Sequence, residues 1–427
     1  MPVTTYNCDS LTGGSGRALD ALKRADLADG DRAVVHTGGQ TMRFLYVAAA
    51  TDAEDTSTHP YKVRPDDFSS SGVWIEQTPA NSELLQNHGP AELIAGRKNH
   101  IINGDFLIWQ RGDDFTGLAS AKYTADRWQY VAGNLSAAMR VYRFADVPDG
   151  GSGSYRSLYS CKLEVKTADA TVDNSYAFFR QMIEGYNFVS LRHNPCVLSF
   201  WVKSSKTGTY CLSLRNSGHD LSFVTEYTID QANTWEHKEI PITFDNFNGT
   251  WNYTNGVGLR VEFQLAVGSD HQTTYKDQWR SENKLATSSQ VNFLDTVGNT
   301  FQLSQVQLEP GEHPTRFDYR PYQEELALCQ RYFIKFNFNP TCSYRGVGAG
   351  SGGNESAVNF SFPQEMRAIP NADKLQDWKY YDGSNWVVKS TTLYVSKNDF
   401  IIGVAGNDNN AHLVFPQTKY AFFDAEI

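Results

Sequence analysis

The chain lacks most of the features that would mark a membrane protein, a secreted protein or an enzyme. No run of about 18 apolar residues occurs, so no membrane-spanning helix and no membrane insertion are expected. The opening MPVTTYNCDSLTGGSG has neither a basic n-region nor an apolar h-region, so no secretory signal is expected and synthesis is expected in the cytoplasm. The six cysteines (Cys8, Cys161, Cys196, Cys211, Cys329, Cys342) are irregularly spaced, without a CxxC pair or a Cys/His ladder. They are expected to be free, mostly buried thiols and not a zinc site or a disulfide framework. Lys and Arg number 38 against 48 Asp and Glu, and no segment concentrates the positive charge. A surface that tracks nucleic-acid phosphates is therefore not expected. His193, His219, His237, His271 and His313 fall in no HExxH or HxH pattern, and no GxSxG elbow is present. Gly346–Gly353 (GVGAGSGG) lacks the Lys-Ser/Thr end of a phosphate loop. The adjacent acids Asp66-Asp67, Asp113-Asp114 and Glu324-Glu325 read as turn residues in the first two cases and as helix N-terminal charge in the third. No catalytic residues are assigned.

What is present is aromatic and rich in turns. Aromatics make up 13% of the chain and charged residues 20%, an ordered composition that leans towards β-structure. A length of 427 residues favours two or three domains. Residues 1–79 read as a small α+β unit, with a helix over Ala18–Leu27 and strands at Ala33-Val34-Val35, Phe44–Val47 and Val73-Trp74-Ile75. Residues 80–99 are polar and read as a linker or short stalk. Residues 100–322 carry alternating strands at Cys161–Val165, Val197–Val202, Tyr210–Leu214, Phe223–Ile229, His237–Phe244, Leu259–Val267 and Thr300–Leu308, which predict a two-sheet jelly-roll sandwich. The alternation slips phase near Ser304-Gln305 and predicts a bulge there. Residues 323–333 read as a connecting helix with Leu326, Cys329, Gln330 and Phe333 on one face. Residues 334–427 read as a second, smaller β-sandwich.

Two stretches bracket the central domain. His100–Trp128 (HIINGDFLIWQRGDDFTGLASAKYTADRW) opens it, and Phe301–Tyr332 closes it and exits to the helix. Arg111, Asp126 and Arg127 are expected to form a buried ion pair that fixes the start of the domain. Trp109, Trp128 and Trp201 lie in strand patterns and are expected in the core. Trp251 and Tyr253 (in NFNGTWNYTN), with Tyr275 and Trp279 (in Gly268–Asn283), fall in turn-rich segments that could present rings to sugar C–H faces. The alternative is padding of a sandwich edge or a subunit contact. Trp378, Tyr380, Tyr381 and Trp386 flank Asp382-Gly383-Ser384-Asn385 as a hairpin, either a glycan-binding tip or a cross-strand aromatic brace.

These motifs carry a resemblance. LTGGSGRALDALKRADLADGDRAVV, then IINGDFLIWQRG, YTADRW, FWVKSS and VQLEPGEHPTRFDYRPYQEELALCQRYF, then FPQEMRAIP and FFDAEI, resemble modules of bacteriophage tail-fibre and receptor-binding proteins in the same order. The resemblance implies a virion protein made in the bacterial cytoplasm. It would be anchored by its N-terminal module to tail or baseplate proteins, assembled as a homotrimer, and would bind host cell-surface polysaccharide without catalysis. A purely structural fibre or baseplate component, and a polysaccharide depolymerase using Asp277 and Asp382, stay open as alternatives. The central module is also similar to jelly-roll carbohydrate-binding modules, which open on an NGDF-like strand and close on an acidic residue that helps hold a structural calcium. Asp105 matches the opening, but Gln305 stands where the closing carboxylate would be. No other cofactor is implied.

Overall fold

Along the central region apolar side chains recur at every second position, so each strand has one face that must leave water. In the computed structural model these faces meet in a sandwich. The structure describes residues 98–149, 156–192, 194–245 and 248–337, together with shorter segments on either side. On the N-terminal side these are 5–8, 19, 22, 27–28, 31–37, 40–47, 62–63 and 73–76. On the C-terminal side they are 343–345, 347–348, 355–372, 379–381, 386–388, 391–405, 412–414 and 420–427. The chain divides into two compact units, Met1–Ile94 and Ala95–Ile427.

The first unit contains a five-stranded sheet built from β1 (Thr5–Cys8), β2 (Arg32–Thr37), β3 (Gln40–Val47), β4 (Lys62–Val63) and β5 (Val73–Glu76), in the order β1-β2-β3-β5-β4. The three anticipated strands are there. The parallel pairing of β1 with β2 was not anticipated. Cys8, Leu19, Ala33, Val35, Phe44 and Tyr46 form its core. The helix expected over Ala18–Leu27 and the stretch 80–97 lie largely outside the described residues.

The second unit opens with β6 (Asp114–Leu118), β7 (Lys122–Tyr123), β8 (Trp128–Gly133), β9 (Ala138–Phe144), β10 (Ser160–Thr167), β11 (Tyr176–Glu184) and the short helix α1 (Gly185–Phe188). It continues with β12 (Pro195–Ser204), β13 (Gly208–Arg215), β14 (Ser222–Ile229), β15 (Glu236–Thr243) and β16 (Val257–Val267). The small strands β17 (Gln272–Thr273), β18 (Trp279–Arg280) and β19 (Ala286–Thr287) precede the long β20 (Thr300–Pro310) and the helix α2 (Tyr322–Gln330). One sheet runs β15-β12-β20-β10-β9-β6 and the other β18-β14-β13-β16-β11-β8-β7. Both are antiparallel in every recorded pairing. Trp128, Leu163, Phe179, Leu198, Phe200, Phe263, Phe301 and Leu303 are among the buried side chains that fill the space between them. Trp128 stacks on Phe179 at 5.2 Å and donates from Nε1 to the Asn103 carbonyl. Trp109 and Trp201, expected in the core, are only half-buried; on β12 it is Phe200 that points inward and Trp201 that points away.

The bulge lies where the phase slip predicts it. Across β12 and β20, Ser199 faces Gln307 and Trp201 faces Ser304, so Gln305 and Val306 together oppose Phe200. Gln305 takes φ +50°. The backbone of Gly104 nests against the bulge: Val306 N–H donates to the Gly104 carbonyl at 2.9 Å, and a Cβ on Gly104 would sit 2.1 Å from the Val306 oxygen.

Helix α2 is shorter than expected. It ends at Gln330, and Phe333 begins a strand, Phe333–Asn337, because that segment pairs with Tyr420–Asp424. Tyr420–Asp424 in turn pairs with Asn371–Ala372. Two further four-stranded sheets complete the C-terminal part. Ile334, Phe362, Met366, Phe400, Ala421, Phe423 and Ala425 form its core. The mainly β, multidomain architecture expected from the sequence is therefore present. Cys8, Cys161, Cys196, Cys211 and Cys329 are buried and in no disulfide, and Cys342 lies outside the described residues. No helix among the described residues is long and apolar enough to cross a membrane.

Candidate functional site

The seam between the sandwich and the Phe333–Asn337/Tyr420–Asp424 sheet is held by arginines. Arg111 pairs with Asp126 at 3.1 Å and reaches Asp424 and Glu426 at 3.3 Å each. Its guanidinium lies 3.6 Å over the Phe333 ring. Arg127, held at φ +71° and fully buried, does not join Asp126 as the sequence suggested; its ion-pair partner is Glu426, and its guanidinium lies 3.5 Å over Tyr332. Arg367 donates to the carbonyls of Ala425 and Glu426. Tyr123 donates to the main-chain oxygen of Ile427 at 2.8 Å. Burial pushes the Asp126 carboxyl up to about 6, against the opposing pull of Arg111. The expected buried ion pair exists, and it fastens the C-terminal strand to the sandwich.

Beside this clamp lies a pocket of about 360 Å³ lined by Arg111, Phe115, Lys122, Phe333, Asn371, Ala372, Phe422 and Asp424. The rings of Phe333 and Phe422 sit 5.5 Å apart, and Phe115 is braced by Trp109 at 6.5 Å. Lys122 is exposed and makes no ion pair among the described residues. Apolar ring faces beside an ammonium, an amide and a carboxylate can pack against C–H surfaces while reading hydroxyl groups. Sequence reasoning missed this pocket. Its walls come from four distant segments, and FFDAEI was noted as a terminal motif without its partners.

The residues singled out in the sequence fare differently. Trp279 is 6% exposed. It lies on β18, where Phe223 is its cross-strand partner, and donates from Nε1 to the Thr243 carbonyl. It packs against Phe244 and Trp251 at 5.5 and 5.6 Å. Its ring cannot stack on a ligand, a correction to the expectation of a loop platform. Trp251 and Tyr253 are half-buried and lie parallel to Phe188, at 4.8 and 6.3 Å. With Trp279 they plug one end of the sandwich. Tyr275 is 45% exposed, with the Arg280 guanidinium 4.0 Å over one ring face. Asp277 is an exposed turn residue at φ +59° that accepts from Thr225. In the C-terminal hairpin, Lys379–Tyr381 pairs with Trp386–Val388, placing Tyr381 opposite Trp386. The side chains of Tyr380, Tyr381 and Trp386, and the whole of Trp378 and Asp382, lie outside the described residues.

Asp105 is buried, as is the neutral Gln305. The cation in this corner is a side chain: Arg320 donates to the carbonyls of Asn99 and Ile101 and pairs with Glu325. Glu325 sits in the first turn of α2, as the sequence suggested, and is in addition a buried partner of Arg320. Among the described residues no group of three or more His, Cys, Asp or Glu could hold a metal ion. Calcium takes six to eight oxygens with carboxylates among them, and Gln305 offers an amide where a second carboxylate would stand.

No protein-family model matches the chain, and no curated protein matches it. Among solved structures, the enzymatically active domain of tailspike protein 4 from bacteriophage CBA120 aligns with 16% identity and a TM-score of 0.26, over 50% of this chain and 21% of that one. The chain therefore spans about a fifth of that domain. A family 11 carbohydrate-binding module from Clostridium thermocellum, in complex with a β-1,3-1,4-mixed-linked tetrasaccharide, aligns with 13% identity and a TM-score of 0.25, over 47% of this chain and 98% of the module. TmCBM61, in complex with β-1,4-galactotriose, aligns with 12% identity and a TM-score of 0.25, over 50% of this chain and 99% of that one. Likenesses at these scores carry no functional assignment.

Proposed function

We propose that the chain is a glycan-recognition component of a phage tail fibre, with a saccharide seated in the seam pocket. The observation that carries this reading is the juxtaposition of the Phe333 and Phe422 rings with Lys122, Asn371 and Asp424 around one concavity. The ordered motif series from the N-terminal module to FFDAEI supports the fibre assignment. On that reading the N-terminal unit attaches to tail or baseplate proteins, three chains associate, and the protein resides in the virion. Recognition is non-covalent. Asp424, the carboxylate that lines the pocket, is ion-paired to Arg111 and so is committed to the clamp and not to acid–base chemistry.

The direct test is titration calorimetry against host surface polysaccharide with wild type and Phe422→Ala. Loss of a stacking ring is expected to weaken binding at least about fivefold. Unchanged affinity would remove the pocket from the proposal. At the level of the particle, free protein is expected to block adsorption of the phage that encodes it, and failure to compete would favour a purely structural fibre.

A further inference from the structure

One patch on the outer face of the seven-stranded sheet gathers three arginines, Arg180, Arg215 and Arg260, in a chain whose net charge is −10. Four neighbouring strands bring this about through their register. Gln129 on β8 faces Arg180 on β11, Arg180 faces Glu262 on β16, and Glu262 faces Ser213 on β13. One step along, Arg260 lies directly opposite Arg215. Like charges in that relation repel and destabilise a sheet unless something offsets them.

Among the described residues a single carboxylate, Glu262, serves the group. Arg215 grips Glu262 with two bonds, Nε to Oε2 at 2.7 Å and Nη2 to Oε1 at 2.8 Å, and Arg180 adds a third at 3.2 Å. Arg180 also holds Gln129, and Arg215 also holds Asn283. Among the described residues Arg260 reaches only backbone carbonyls, those of Asn216 and Ser217. Its Nε is buried without a partner, as are Nε2 of His219 and Oε1 of the fully buried Gln264. Three guanidiniums therefore face one carboxylate, a surplus of two positive charges in a half-buried setting where charge left without a counterion is costly. Burial, followed by Arg260 and Arg215, brings His219 down to about 4, so it is a neutral hydrogen-bonding group at neutral pH. The cluster is reached from solvent past Asn283, which is exposed, and past Gln129, Arg180, His219 and Arg260, which are partly so.

We infer that this face binds the carboxylate of an acidic sugar, with Arg260 supplying Nη2, which has no hydrogen-bond partner among the described residues, and Gln129 and Asn283 placed to read neighbouring hydroxyls. A planar guanidinium matches a carboxylate in a way that a lysine cannot. The inference rests on the reading of the chain as a glycan binder. It specifies a second site, chemically distinct from the phenylalanine-lined pocket.

The test is calorimetry with an oligogalacturonide and with the same oligomer after reduction of its carboxyls to alcohols. Wild type is expected to bind the charged oligomer at least about tenfold more tightly, the loss expected when a charge-assisted contact is removed. Arg260→Gln is expected to erase that difference, and Arg180→Gln serves if the first variant does not fold. Equal affinity of wild type for the charged and reduced oligomers would overturn the acidic-sugar inference. So would sodium sulfate binding as tightly as the oligomer, since that describes a bare anion site. Phe422→Ala reports separately on the pocket: neutral glycan binding that it abolishes, without a preference for charged oligomer, would leave the pocket standing and the arginine site refuted.

Discussion

Arg127 concentrates several costs in one residue. It is buried, it has a left-handed backbone, and it depends on Glu426 for its counterion. Replacing it with Met would leave Glu426, itself 4% exposed, without that guanidinium. The expected loss is about 3–5 kcal/mol, measured by urea unfolding. Its neighbour Asp126 behaves in the opposite sense to most acids. Its folded pKa, about 6, lies above the ordinary carboxylate value, so the folded chain holds this proton more tightly than the unfolded one. The contribution is therefore complete below about pH 4 and is lost as pH rises through about 6. Asp126→Asn is expected to flatten the dependence of melting temperature on pH across that window; an unchanged slope would show that another group sets it. Glu262 does not interfere. Burial opposes its ionisation, but Arg215, then Arg180 and Arg260, override burial and bring it down to about 2, so its contribution is lost only as pH falls towards that value.

Elements were legible where a periodic signal existed. The strands of the sandwich follow from alternation, and a one-residue slip at Ser304-Gln305 was enough to place the bulge. The helix boundary was not legible. Phe333 continues the helical spacing of Cys329 and Gln330, yet pairing with Asp424 claims it for a strand. For Trp279 the sequence left a sugar platform and edge padding both open, because turn-rich composition says nothing of β18 folding back onto β14. Gly104 is an intermediate case. Its constraint is the close approach to Val306 on β20, which no spacing in the sequence marks. Gly104→Ala is accordingly expected to destabilise by more than about 2 kcal/mol, because the obstructing atom is backbone oxygen and cannot rotate away.

For the molecule as a whole, the seam matters more than either part. Arg111 and Arg127 tie the sandwich to the C-terminal strand, so Ala95–Ile427 is expected to melt as one calorimetric transition. Arg111→Met should broaden or split it. Light scattering of the full chain is expected to give the mass of three copies, and a stable monomer would remove avidity from the proposed recognition. The pocket could not be read from the sequence because Phe115, Phe333, Asn371 and Phe422 meet only after the fold closes. The position of β20 has a different consequence, one that concerns the ribosome. It lies between β12 and β10, so the six-stranded sheet stays in two open halves until residue 310 has been translated. At about 5–20 residues per second, the nascent chain carries unpaired strand edges and a half-covered apolar face for on the order of ten seconds after β12 emerges. Yield of intact protein should therefore respond more to translation speed and chaperone supply than to the stability of the finished sandwich.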